Sequence, residues 1–294
     1  MSSRNYLKKP VWLKTKVPSG DEYKEVFALL KKYNLSTVCQ EARCPNINEC
    51  WNRKSATIMI LGKICTRACR FCAVKSGDPK GFVDPEEPRH VADVVKKFGL
   101  KYVVITSVDR DDLEDLGSSH YALTVKFIKK MNPNTRIEIL IPDFSGRDEC
   151  LRRVIDAHPF VIGHNIETVE RLTPYIRDHR SSYVQSLEVL KKLKRLNKDI
   201  HVKSGFMIGF GEKKEEVIQT LKDMRKTDID IVTIGQYLQP TRKHHFVQKY
   251  YTPEEFDEFK KIGEDLGIQH VMSGPLVRSS YHADDIVSFC SANS

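Results

Sequence analysis

The sequence predicts an α/β fold, a partial (β/α)6 barrel of the TIM type with N- and C-terminal extensions. Three observations carry that expectation. Apolar, β-branched runs alternate strictly with amphipathic helical ones, there are six of each, and no internal repeat, low-complexity tract or linker divides the 294 residues into independent parts. A chain of this length buries a sizeable core without disulfide staples. Strict alternation makes the strands parallel and the crossovers right-handed, and six units suit an open barrel better than the closed eight-unit form.

Taken in order, the segment 21–33 places Tyr23, Val26, Phe27, Leu30 and Tyr33 on one face of a short helix. A cysteine-bearing stretch follows. Strands are expected at 55–64, 101–108, 136–144, 160–167, 200–210 and 230–238, with helices near 90–98, 119–131, 147–157, 181–196, 213–226 and 253–266. The chain thereby divides into an N-terminal extension (1–54), a barrel (55–266) and a C-terminal extension (267–294). In such barrels function sits on the loops that leave the strand C-terminal ends. Cys65, Cys69 and Cys72 lie on one of these, and Thr106 to Asp112, Asn165 to Glu167 and Gln236 to Thr241 on others.

Composition narrows the function classes. With 40% hydrophobic and 30% charged residues there is no apolar run near the ~20 residues a membrane span needs, and the first residues lack a secretory signal. A cytoplasmic protein with no membrane partner is expected. The formal charge of +9 attracts acidic partners, but the cations are spread along the chain without an arginine-rich tail or interleaved aromatics. A nucleic-acid module is therefore disfavoured and an acidic protein substrate fits.

The cysteines are more informative. Six of the eight fall between Cys39 and Cys72, where proportional scatter would put about one. In a reducing compartment such clustering points to metal ligation or redox chemistry. Cys39, Cys44 and Cys50 are spaced C-x4-C-x5-C, and Cys65, Cys69 and Cys72 are spaced C-x3-C-x2-C. Neither triplet has the two close pairs of a structural zinc site, whereas three thiolates around a four-iron cluster leave one iron open to another ligand. Cys150 and Cys290 have no partner at ligand spacing and are read as ordinary thiols.

The C-x3-C-x2-C spacing after a first strand, with Phe71 before the last cysteine, resembles the signature of radical S-adenosylmethionine (SAM) enzymes. Taken with KPVWLK (9–14), TVCQEARCPNINECW (37–51), TSVDRDDLEDLG (106–117) and RSSYHAD (278–284), the chain resembles the lipoyl synthase family over nearly its whole length. The resemblance implies two [4Fe-4S] clusters. One is held by Cys65, Cys69 and Cys72 and binds SAM at its open iron. The auxiliary one is held by Cys39, Cys44 and Cys50 with a serine, Ser280 in preference to Ser279, and is the sulfur source. Implied too are radical insertion of two sulfur atoms, at C6 and C8 of a protein-bound octanoyl-lysine, and two SAM molecules per lipoyl group. The implied partners are an octanoylated lipoyl-carrier protein or domain and a ferredoxin- or flavodoxin-like electron donor.

Other polar residues at strand ends are candidates for SAM contact: Thr106, Ser107, Asp109, Asn165, Glu167, Arg177 and Gln236. The acids after Asp109 read as a solvated helix start. GFMIGFGE (205–212) reads as a small-residue strand passing close to a nucleoside, Arg278 as a hydrogen-bond donor beside the ligating serine, and His244 and His245 as surface residues.

Overall fold

A computed structural model describes residues 7–15, 19–52, 57–281 and 283. Ten strands occur in chain order: β1 (Ser36–Thr37), β2 (Thr57–Ile60), β3 (Ile64–Cys65), β4 (Lys75–Ser76), β5 (Tyr102–Ser107), β6 (Arg136–Leu140), β7 (Val161–Gly163), β8 (His201–Ile208), β9 (Ile231–Gln236) and β10 (His270–Gly274). Eight of them form one sheet in the order β1-β2-β5-β6-β7-β8-β9-β10, and β3 and β4 pair separately. Only β1 runs antiparallel within the large sheet. The sheet has two free edges, so the barrel is open.

The six expected strands are β2, β5, β6, β7, β8 and β9. The expected helices are Glu87–Phe98, Ser118–Met131, Asp148–Ile155, Tyr183–Leu196, Lys214–Arg225 and Pro253–Asp265. Their ends carry ordinary signals: Gly99 closes the first in the left-handed region, and Thr252 with Glu255 forms a capping box at the start of the last. A seventh parallel strand, β10, lies beyond the expected six. It pairs with β9 from His270↔Ile231 to Gly274↔Gly235. Only Val271 in it is buried, so the segment has too little apolar pattern to announce a strand. Phe27 also departs from expectation: helix Asp21–Lys32 buries Val26 and Leu30, while Phe27 falls at the edge of the stripe and is 44% exposed.

The alternation of strand side chains sets an interior layer below the strand C-termini. Tyr102, Glu138 and Lys203 lie on the same strand faces as Thr106, Leu140 and Gly205. Lys203 Nζ bonds Glu138 at 2.9 Å, Tyr102 OH donates to the same carboxylate at 2.6 Å, and the ion pair is almost fully buried. This polar layer floors the barrel. Among the described residues no helix is long and apolar enough to cross a membrane.

Candidate active site

The pairing of β3 with β4 closes the loop that carries Cys69 and Cys72. Gly77 N donates to Cys65 O at 2.9 Å and Ser76 Oγ to Arg67 O at 2.9 Å, so the loop is fixed by its own backbone. Three backbone N–H groups aim at sulfur. Arg67 and Asp109 each donate to Cys65 Sγ at 3.4 Å, and Asp178 donates to Cys69 Sγ at 3.3 Å. Burial, and then the neighbouring Asp109, pushes the Cys65 thiol up to about 12. Burial does the same to Cys69 and Cys72, each also raised to about 12, with the other thiols of the triplet adding to it.

Arg67 anchors this loop from below. Its guanidinium bonds Asp111 at 2.9 Å, Asp143 at 2.7 Å and Ser181 at 3.1 Å, with only 4% of the side chain exposed. These paired charges raise its pKa further, against the opposing effect of burial. Thr66 Oγ1 also donates to Asp111 at 2.6 Å, while Asp112 takes both arms of the buried Arg110 at 2.8 Å. The reading of a solvated helix start holds for the later acids, Glu114 being exposed and Asp115 accepting from Gly117 N and Ser119 N at the start of helix Ser118–Met131, but not for Asp111. Asp111 holds the cysteine loop through Thr66 and Arg67.

Beside the loop lies a cavity of about 140 Å³, lined in part by Cys69, Thr106, Ser107, Asp109, Asn165, Glu167 and Arg177. Six of the seven proposed SAM-contacting residues meet here. Gln236 does not: its Nε2 donates to the backbone oxygens of Ile208, Tyr237 and Lys249, and its Oε1 accepts from Tyr251 N. Both amide atoms are spent on the chain itself. Of the hydroxyls that do line the cavity, Thr106 donates to Leu140 O at 3.0 Å and Ser107 to Val108 O at 2.8 Å. Burial lifts Asp109 to about 6 and raises Glu167, the nearby Arg177 opposing both shifts. His164, which sequence reasoning passed over, bonds Ile141 O and Ser186 Oγ at 3.0 Å, and burial with Arg177 lowers it to about 4.

The second triplet hangs from the free edge of the sheet. β1 leads directly into Cys39, Cys44 N donates back to Cys39 O at 3.0 Å, and Cys50 lies on helix Ile47–Asn52. Burial, and then Cys44, raises Cys39 to about 11, while burial raises Cys44 against the opposing charge of Arg278. The C-terminal segment crosses to this triplet. Asn46 Nδ2 donates to Leu276 O at 2.7 Å, Thr57 Oγ1 to Ser280 Oγ at 2.6 Å, and Asn165 Nδ2 to Ser279 Oγ at 2.8 Å. A Cβ on Gly235 would stand 2.2 Å from Val277 O, so glycine there lets the segment lie directly on β9. Ser280 thus sits on the side of Thr57, whose backbone is beside Cys39, and Ser279 on the side of the cavity. His282, Asp284 and Cys290 lie outside the described residues.

These residues fit the groups that the sequence implies. No disulfide joins the described cysteines; in the two triplets Cys39 is buried and the other five are half-buried, where an unliganded thiolate is costly and coordination to iron removes that cost. Asn165 Oδ1 is buried without a hydrogen-bond partner and faces the cavity, as a site for a polar cofactor requires. No three thiol, imidazole or carboxylate groups among the described residues converge on a point that a single metal ion would fill. A four-iron cluster takes its thiols across a wider body than a single ion does.

The family model of the radical SAM superfamily matches residues 59–224, and that of the N-terminal domain of lipoyl synthase matches residues 2–44. The chain is 50% identical to the lipoyl synthase of Francisella tularensis subsp. mediasiatica, over 96% of its own length and 86% of the relative's. To that of Thermus thermophilus it is 50% identical over 95% and 86%. Among solved structures, methylornithine synthase aligns with a TM-score of 0.56 at 16% identity, covering 80% of each chain. The FeFe-hydrogenase maturase from Carboxydothermus hydrogenoformans aligns with a TM-score of 0.56 at 12% identity, over 80% of this chain and 65% of that one. Those two likenesses show the shared partial barrel. Membership of the superfamily carries with it a [4Fe-4S] cluster and SAM. With half of its residues shared over almost all of its length, the chain belongs to the lipoyl synthase family of radical SAM enzymes.

Proposed function

We propose that this enzyme inserts two sulfur atoms, at C6 and C8, into an octanoyl-lysine presented by a carrier protein or domain, and draws them from an auxiliary [4Fe-4S] cluster. One observation carries the proposal: the C-terminal segment bonds the cavity through Asn165–Ser279 and the edge of the second triplet through Thr57–Ser280. A segment that runs between the two thiol sets supports their acting on one substrate. When bound, the cluster and SAM at Cys65, Cys69 and Cys72 supply the radical that takes hydrogen from an unactivated carbon, and the auxiliary cluster at Cys39, Cys44, Cys50 and Ser280 supplies sulfur.

The chain's own residues do the rest. Backbone N–H groups of Arg67, Asp109 and Asp178 stabilise negative charge on Cys65 and Cys69 sulfur. Arg177 faces the cavity with Asp109 and Glu167 close enough to perturb both acids, which suits an amino acid's carboxylate and amine. Asn165 offers its unpaired Oδ1 to a donor on the ligand. Thr57 donates to Ser280, so the serine's own proton is free to leave and its oxygen to meet a metal. The polar floor of Lys203, Glu138 and Tyr102 closes the interior below, keeping the reactive region separate from solvent at the barrel's other end.

The test is isotopic. Enzyme rebuilt anaerobically with heavy sulfide is incubated with an octanoylated carrier, SAM and reductant, and the product is weighed. Two heavy sulfur atoms in the lipoyl group are expected; light sulfur there overturns the assignment of the source.

A further inference from the structure

Three segments meet at the cysteine loop, where it reaches the surface. Arg70 N donates to Ile176 O at 2.8 Å, His245 N to Arg70 O at 2.9 Å, and Arg180 Nη2 to Thr66 O at 2.6 Å. His244 Nε2 lies 2.9 Å from Cys72 O, its Nδ1 is held by Thr241 Oγ1 at 2.8 Å, and Asp178 N reaches Cys69 sulfur. Residues 66–72, 175–180 and 239–246 therefore form one rim, a residue or two from each thiol.

This rim is exposed and mainly basic, Asp111 reaching it from the loop after β5 to pair with Arg180 at 3.2 Å. Ala68, Arg70, Arg242 and Lys243 are exposed, as is 84% of the His179 side chain. Asp178, the single acid in the three segments, has a side chain only 5% exposed and tied to Arg180. Two large apolar groups stand among the cations, Tyr175 at 62% and Phe246 at 40% exposure. Aromatic anchors ringed by like charge are the composition of a transient docking patch for an oppositely charged protein.

We propose that this rim docks an acidic one-electron donor protein. The inference rests on the radical SAM reading of the adjacent thiols. Ala68 and Arg70 are exposed on either side of Cys69, so the loop offers a short path from solvent to a cluster held by these thiols. The exchange is balanced within the pair: the reduced donor loses one electron, the oxidised cluster gains one, and no bond or proton moves.

The experiment uses the holoenzyme and its Arg70→Glu, Lys243→Glu and doubly reversed variants, with flavodoxin as the acidic donor. Titration with oxidised flavodoxin, which needs no turnover, is expected to show Kd raised on the order of tenfold in the double variant, with a flatter salt dependence. SAM cleavage driven by dithionite is expected to be unchanged. Unaltered flavodoxin affinity overturns the proposal. So does an equal loss with dithionite, which marks damage to the loop, or weakened binding of the octanoylated carrier in place of the donor. Failure of the wild-type enzyme to cleave SAM with dithionite sinks the radical reading instead, while the titration still reports on the rim.

Discussion

Thr57 Oγ1 donates to Ser280 Oγ across 2.6 Å, joining the first barrel strand to a serine 223 residues away. Thr57→Val keeps the β-branched shape that suits β2 and removes the donor. The expected loss is about 1 kcal/mol of stability. Iron at the second triplet should also escape to a chelator faster than iron at the first. Spectroscopically resolved chelation kinetics check this, and equal release from both sites refutes it.

The two triplets are separable by mutation. Cys69→Ala is expected to abolish SAM cleavage, whereas Cys44→Ala leaves cleavage to 5′-deoxyadenosine and forms no carbon–sulfur bond. Quantifying both products by mass spectrometry tells the sites apart. Lipoyl product from the Cys44 variant contradicts the division of labour.

Gly235 predicts a variant with the same split by a different cause. In Gly235→Ala the new Cβ meets the Val277 carbonyl at 2.2 Å, so the C-terminal segment must lift from β9. Product formation should fall at least tenfold. SAM cleavage persists, because Cys65, Cys69 and Cys72 are anchored elsewhere. A variant with wild-type product yield argues that the segment's seat is unimportant.

His164 makes stability depend on pH. Burial, then Arg177, lowers its pKa from 6.5 to about 4, so the unfolded chain binds a proton that the folded chain refuses. Its contribution is complete above pH 6.5 and is lost as pH falls through about 4, amounting to ~3 kcal/mol over that window. Denaturant midpoints at pH 7 and pH 5 should converge more in His164→Gln than in the wild type; identical pH slopes would discount this histidine.

Arg67 holds Asp111 and Asp143 in a site almost closed to water. Arg67→Met strands both carboxylates and is expected to cost about 3–5 kcal/mol, read by anaerobic thermal denaturation. Adding Asp143→Asn should recover part of the loss. No recovery would place the damage in packing rather than charge.

The sequence made much of this site legible because its chemistry is local. Six βα units follow from periodicity, and each cysteine triplet is a short, contiguous pattern. What escaped it depends on distant partners. Arg67 reads as one cation in a motif until Asp143, 76 residues on, is placed beside it. Nothing local to Lys203 or Glu138 shows that they pair inside the barrel, 65 residues apart. Gln236 has the position of a ligand contact at a strand end, but the path of residues 249–251 consumes its amide. His244 reads as surface because nothing local shows that the segment after the sixth strand returns to Cys72.

The edge strand β1 is two residues long and bonded on one side only. On the proposed function, one inorganic part is dismantled in each cycle and must be replaced between cycles. The thiols that would hold it follow an edge strand rather than the parallel strands that carry the cavity. Refitting then resembles changing a cartridge at the margin of the sheet, with the engine block left bolted.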